Sequence, residues 1–160
     1  IAWGLRSFPL VFLFGRGNYG IRPIHARDLA WLAVREGGLS GNRMINAVGP
    51  DRFTFRELVQ EVGKALNIRK PLMGLPPRIA LGMAGIVGLI KRDVFLTWDE
   101  IRGLMDGLLD VPDEGADKEL LDRGISLKAW AREHRQSLGL SYASELGRRR
   151  DRKSSYSARK

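Results

Sequence analysis

No apolar stretch in this chain is longer than twelve residues, from Ile79 to Ile90. Crossing a bilayer takes about 18 or more apolar residues in one run, so no membrane span is expected. The chain must instead fold from short strands and helices. Its 19 Gly and 7 Pro, spread over 160 residues, supply the breaks between them. That length suits one domain, or one domain with an appendage, and it is enough to bury a core. There are no cysteines, which rules out disulfides, thiolate metal sites and thiol nucleophiles. The two histidines, His25 and His134, are too few for a multi-histidine metal site. No signal peptide is visible, and the expected localisation is cytoplasmic. The first residue is Ile1 and apolar sequence follows at once, which reads as a piece excised from a longer protein.

The formal net charge is +9, and most of it is terminal. Between Gly147 and Lys160 stand Arg148, Arg149, Arg150, Arg152, Lys153, Arg159 and Lys160 against Asp151 alone. Such a run buries no apolar area, so residues 141–160 are expected to be a disordered basic tail. The tail reads first as a solvated terminus making weak contact with polyanions. The alternative is an arm for nucleic acid or an anionic membrane. One aromatic residue, Tyr156, does not make a stacking platform for bases.

Local patterns divide the remainder. Phe8 to Phe14 is a short, aromatic-rich apolar run and predicts a strand. A glycine loop follows over Gly15–Gly20, and Ile21–His25 reads as extended because Arg22 precedes Pro23. Asp28 is the expected cap of a buried helix over Leu29–Val34, stopped at Gly37 and Gly38. Met44–Val48 predicts a second strand. Thr54 and Glu57 form a capping box, and Phe55, Leu58, Val59, Val62 and Leu66 recur as one buried helical face. Pro71, Pro76 and Pro77 mark a loop before the apolar helix Ile79–Ile90. That helix is apolar on all sides, which predicts a buried or interface helix, with Gly82, Gly85 and Gly88 as a bare strip for close approach. A second capping box stands at Thr97 and Glu100, and Ser126 caps the last helix. The order is a strand, a helix, a strand and then several helices. The class is α/β, with two or three strands in a small sheet.

Few residues suggest chemistry. Gly15-Arg-Gly-Asn-Tyr-Gly20 spells GxGxxG, but a dinucleotide fingerprint needs a helix opening among its glycines to hold the pyrophosphate. Here Pro23 and an extended segment follow instead. A flexible glycine loop is one reading. A ligand-facing loop is the other, with Arg16 and Arg22 placed to meet a phosphate or carboxylate. His25 and Asp28 are three apart, a spacing open to general-base work, yet no serine stands in a nucleophile elbow. A helix cap at Asp28 and a half-buried His25 account for both more simply. His134 reads as a packing residue.

Two segments taken together resemble a known family. Arg22-Pro-Ile-His-Ala-Arg-Asp-Leu-Ala30 is similar to the R-P-(V/I)-H-V-x-D-(V/L)-A segment of extended and atypical short-chain dehydrogenase/reductases, the nucleotide-sugar epimerase-like proteins. Asn46-Ala-Val-Gly-Pro-Asp-Arg-Phe-Thr-Phe-Arg-Glu-Leu58 is similar to their x-x-G-G-P-E-x-(F/L)-T-x-x-E-L segment. The resemblance covers Phe8–Leu66 well and the later helices loosely.

The resemblance implies the C-terminal portion of a Rossmann-like fold: late strands and a helix over 1–50, then a mostly helical substrate cap over 51–140. It implies NAD or NADP in the full-length protein, held by an N-terminal Rossmann part that would be this region's main partner, and none bound by this chain alone. The family's Tyr-x-x-x-Lys pair is absent, since Tyr19, Tyr142 and Tyr156 have no Lys four positions on. No catalytic residue is therefore assigned. Carried over by motif, Arg16, Asn18, Tyr19, Arg22 and His25 are the expected residues around a small-molecule substrate, nucleotide-linked or not. The implied function is the substrate side of an NAD(P)-dependent epimerase, dehydratase or reductase, inactive by itself. The alternatives are a non-catalytic structural or assembly factor, like the dehydrogenase-like accessory subunit of respiratory complex I, and a small basic nucleic-acid-binding module.

Overall fold

The computed structural model of the chain describes residues 1–93, 97–144 and 146–147. Most of the basic tail expected at 141–160 lies outside the described residues. The fold is mixed α/β. In chain order it comprises α1 (Ala2–Ser7), β1 (Val11–Phe14), β2 (Gly20–Ile21), α2 (Ala26–Gly37), β3 (Phe53–Thr54), α3 (Phe55–Ala65) and β4 (Leu72–Leu75). Then come α4 (Pro77–Lys91), α5 (Trp98–Met105), α6 (Lys118–Arg123) and α7 (Leu127–Glu133).

β1 and β4 pair in parallel, from Val11 opposite Leu72 to Phe14 opposite Leu75. Parallel neighbours cannot be joined by a tight turn, so the chain runs out through α2 and α3 before β4 returns beside β1. β2 and β3 form a short antiparallel pair, Gly20 opposite Thr54 and Ile21 opposite Phe53. Each sheet thus joins residues from both sides of position 50.

The core follows from the two periodicities. Alternation along β1 points Leu13 into a cluster with Leu5 of α1, and the helical spacing of α3 adds Val59, Val62 and Leu66. Each such side chain, fully buried, contributes about 1.5–3 kcal/mol of transfer free energy. The capping boxes at Thr54–Glu57 and Thr97–Glu100 are both formed, and Ser126 caps α7 through Ala129 N–H. Pro77 opens α4 at its first turn, where its missing N–H costs no hydrogen bond.

Several expectations are corrected. Met44–Val48 is not a strand: among the described residues its one pairing is a bridge, Asn46 with Ala116, and Met44 is 95% exposed. β4 arises instead within the expected proline loop. Gly74 lets it approach β1, because a Cβ there would overlap the carbonyl oxygen of Gly15. The cap of α2 is His25, whose Nδ1 accepts from Arg27 N–H, rather than Asp28. α2 buries only Leu32 and leaves Leu29, Trp31 and Val34 exposed, so its apolar composition did not make it a core helix. α4 meets the fold through Ala80, Ala84 and Gly88, all buried, and packs on β1. Of the expected glycine strip only Gly88 lies in that contact; Gly82 and Gly85 face open space, with nothing within 4 Å of an added Cβ.

These assignments order three substitutions by cost. Leu13→Ala empties a site with 0% exposure and should lower unfolding free energy by about 2–5 kcal/mol. Thr54→Ala removes a cap and should cost about 1 kcal/mol. Met44→Ser should stay within about 0.5 kcal/mol. Urea unfolding measures all three, and a large cost for Met44→Ser would restore the strand.

Candidate functional site

The glycine loop leaves the C-terminal end of β1 and is held from two sides. Gly15 and Gly17 take left-handed φ values of 59° and 71°, which turn the chain sharply enough for Gly20 to enter β2. From one side comes the start of α3. Phe55 N–H donates to Tyr19 O at 3.0 Å and Arg56 N–H to Gly17 O at 3.0 Å, while Arg56 Nε donates to Arg16 O at 3.1 Å. The helix's otherwise unpaired first amides are thus spent on loop carbonyls, and Glu57 N–H on the Thr54 hydroxyl. Among the described residues, no helix N-terminus is left open toward this loop to receive a pyrophosphate. The next helix begins at Ala26 under its own His25 cap. The residues present do not fit the phosphate cradle of a dinucleotide.

From the other side comes the turn after α5. Met105 Cε lies 3.5 Å from where a Gly15 Cβ would stand, and the Asp110 carboxylate lies where any Gly20 side chain would be. Arg22 N–H donates to Leu109 O at 2.9 Å. The Arg22 side chain, 4% exposed, donates through Nε to Gly49 O at 3.0 Å and through Nη1 to Val111 O at 3.3 Å and the Asp113 carboxylate. A buried guanidinium is tolerable only when its protons are met in this way. Beside it, Asp110 pairs with Arg52 Nε at 2.7 Å.

The expected site residues therefore separate. Arg16 and Asn18 are exposed at the turn, and among the described residues Arg16 makes no ion pair. Tyr19 stacks its ring on Phe55 with centroids 5.5 Å apart and planes 21° apart. Its hydroxyl is buried without a hydrogen-bond partner among the described residues, and burial pushes its pKa up to about 12. Arg22 is turned into the fold. His25 lies apart from the loop, its ring 6.0 Å from Trp130, whose indole stacks on His134 at 4.6 Å. Asp28 accepts from Ile125 N–H at 2.7 Å, so His25 and Asp28 hold separate structural bonds rather than a shared proton. The arrangement offers an exposed cation and amide on a rigid turn, with a phenol beneath them.

Asp110 and Asp113, which close this side of the loop, carry no signal in the local sequence. Their partners, Arg22 and Arg52, stand 91 and 58 residues earlier in the chain, so no local pattern connects them. Further off, a groove of about 490 Å³ between α2 and residues 41–45 is lined by Leu29, Leu32 and Arg43. Its Glu36 is already paired with Arg35 and Arg43. No family model matches the chain, and no curated protein does.

Two measurements test this description. Tyr19→Phe removes an unpaired buried hydroxyl, so it should leave stability unchanged or raise it by up to about 1 kcal/mol. A loss above about 1 kcal/mol would reveal a partner for the phenol. Three carboxyls sit below their ordinary pKa: Asp110 through its bond from Arg52, Asp117 through its bond from Arg35, and Glu57 through the backbone and hydroxyl of Thr54. The folded chain then binds fewer protons than the unfolded one at mildly acid pH. This stabilisation is complete above the ordinary carboxylate range and fades as pH falls below about 4 through the folded values. Thermal melts should show that acid loss, and Asp110→Asn should make it shallower.

Proposed function

We propose that this chain is the substrate-side, C-terminal region of an NAD(P)-dependent epimerase-, dehydratase- or reductase-like protein, with Arg16, Asn18 and Tyr19 on the loop that meets the substrate. The observation that carries this reading is the loop's position. It leaves the C-terminal end of β1 in a parallel pair, and ligands of open α/β sheets bind outside those ends. The paired resemblance at Arg22–Ala30 and Asn46–Leu58 supports it, as does the seating of Met105, Leu109 and Asp110 over the loop, where a substrate cap belongs. The exposed guanidinium of Arg16 suits the diphosphate of a nucleotide-linked substrate, which it can grip with two parallel hydrogen bonds. Arg22 acts behind it as a positioning residue. The nicotinamide cofactor belongs to the Rossmann part of such a protein, and no catalytic step is assigned to residues of this chain.

A second reading, a non-catalytic relative serving as an assembly subunit, is favoured by the exposed apolar face of Leu29, Trp31 and Val34 on α2. Amide chemical shifts during titration with a uridine diphosphate sugar, and separately with NADH, distinguish the two. The substrate-side reading expects the sugar nucleotide to move Arg16, Asn18 and Tyr19, an effect reduced by Arg16→Ala, and expects NADH to move nothing. Tight NADH binding by this chain alone, or a loop indifferent to every nucleotide sugar, would overturn it.

A further inference from the structure

Helix α4 buries its smallest side chains and exposes several of its largest, with Leu81, Met83 and Val87 half-buried between them. Small residues at four-residue spacing, Ala80, Ala84 and Gly88, are buried against the fold. Large ones, Ile79, Ile86, Leu89 and Ile90, point outward, with Ile86 60% and Leu89 81% exposed. A globular helix turns its large apolar side chains inward. Here the outer arc is apolar throughout, and no charged residue interrupts the sequence between Arg78 and Lys91. At fifteen residues the helix is too short to cross a membrane.

The exposed charge next to this face is positive at both ends, Asp93 being buried. Arg78 in the first turn and Arg92 at the cap are exposed, neither makes an ion pair among the described residues, and the first turn holds no acidic residue. Immediately after the helix, buried Asp93 accepts from Tyr142 Oη at 2.7 Å and from Leu146 N–H at 3.0 Å. The chain therefore passes Gly147 beside the C-terminal end of α4. The next residues in sequence are the basic run Arg148–Lys160, seven cations against Asp151.

We propose that the outer face of α4 is a membrane-docking surface that lies in the headgroup–acyl boundary of a bilayer containing anionic lipid. Its apolar side chains enter the boundary, and Arg78, Arg92 and the basic run meet lipid phosphates and carboxylates. Apolar insertion and polybasic attraction are the two signals that together give stable attachment. The polar side that a free interfacial helix needs is replaced here by the protein itself. A second copy is a poor occupant, because each copy would bring cations to the same rim. This inference does not depend on the enzymatic reading.

The test is co-sedimentation of the 160-residue chain with vesicles of phosphatidylcholine, with and without phosphatidylserine. Binding is expected to the serine-containing vesicles, about tenfold weaker to phosphatidylcholine alone, and weaker again in roughly 0.5 M salt. The double variant Ile86→Asp, Leu89→Asp should lose about tenfold or more in partitioning, with its circular dichroism and Tm unchanged. Should that variant misfold, Ile86→Asn with Leu89→Asn serves in its place. A chain ending at Gly147 should bind about tenfold less tightly but still respond to the α4 substitutions. Wild-type partitioning by the α4 variants would overturn the proposal. So would a chain that ignores vesicles while forming dimers, by light scattering, that the α4 variants dissolve.

Discussion

The buried guanidinium of Arg22 is the point from which the rest of the arrangement hangs. Its donors reach Gly49 O, Val111 O and the Asp113 carboxylate, so one side chain ties β2 to the corner before β3 and to the turn after α5. Desolvating a cation is costly. Losing one acceptor would leave one of its donors buried and unsatisfied, at about 1–3 kcal/mol. The acceptors come from residues 49, 111 and 113, distant in sequence, so the contact exists only when both halves of the chain are in place. Other carboxylates also join distant parts of the chain. Asp28 holds Ile125, Asp51 holds Ser126, and Asp117 holds Arg35. Each fastens the later helices to the strand-bearing part.

That fastening gives the glycine loop its shape. Loops with left-handed glycines are mobile unless other groups fix them. Here the first amides of α3 grip the loop carbonyls from below, and the turn over 105–110 covers it. Within this loop the side chains of Arg16 and Asn18 are exposed. The stacking of Tyr19 on Phe55 closes the floor with an apolar surface. Pre-organisation of this kind lowers the entropy lost when a ligand binds.

What the sequence disclosed was mostly local. Both capping boxes, the Ser126 cap and the buried face of α3 were legible because each is set by residues within one or two helical turns. The absence of a helix opening within Gly15–Gly20 followed from Pro23 alone. β4 was hidden because Leu72–Leu75 has no alternation, and its pairing depends on β1, some sixty residues earlier. α1 was hidden by its brevity. The outward turn of Leu89 and Val34 was hidden for another reason: composition tells which residues are apolar but not which side of a helix finds a neighbour. Arg22 was singled out by sequence, and the structure gives it internal bonds that only the folded chain brings together.

Amide hydrogen exchange of an Arg22→Lys variant tests this account most directly, because lysine keeps the charge but cannot reach three acceptors with a planar fork. The account predicts faster exchange together in residues 17–25 and 107–116, while Leu13 in β1 and Val59–Val62 in α3 stay protected. Exchange unchanged outside position 22, or raised uniformly across the whole chain, would contradict it.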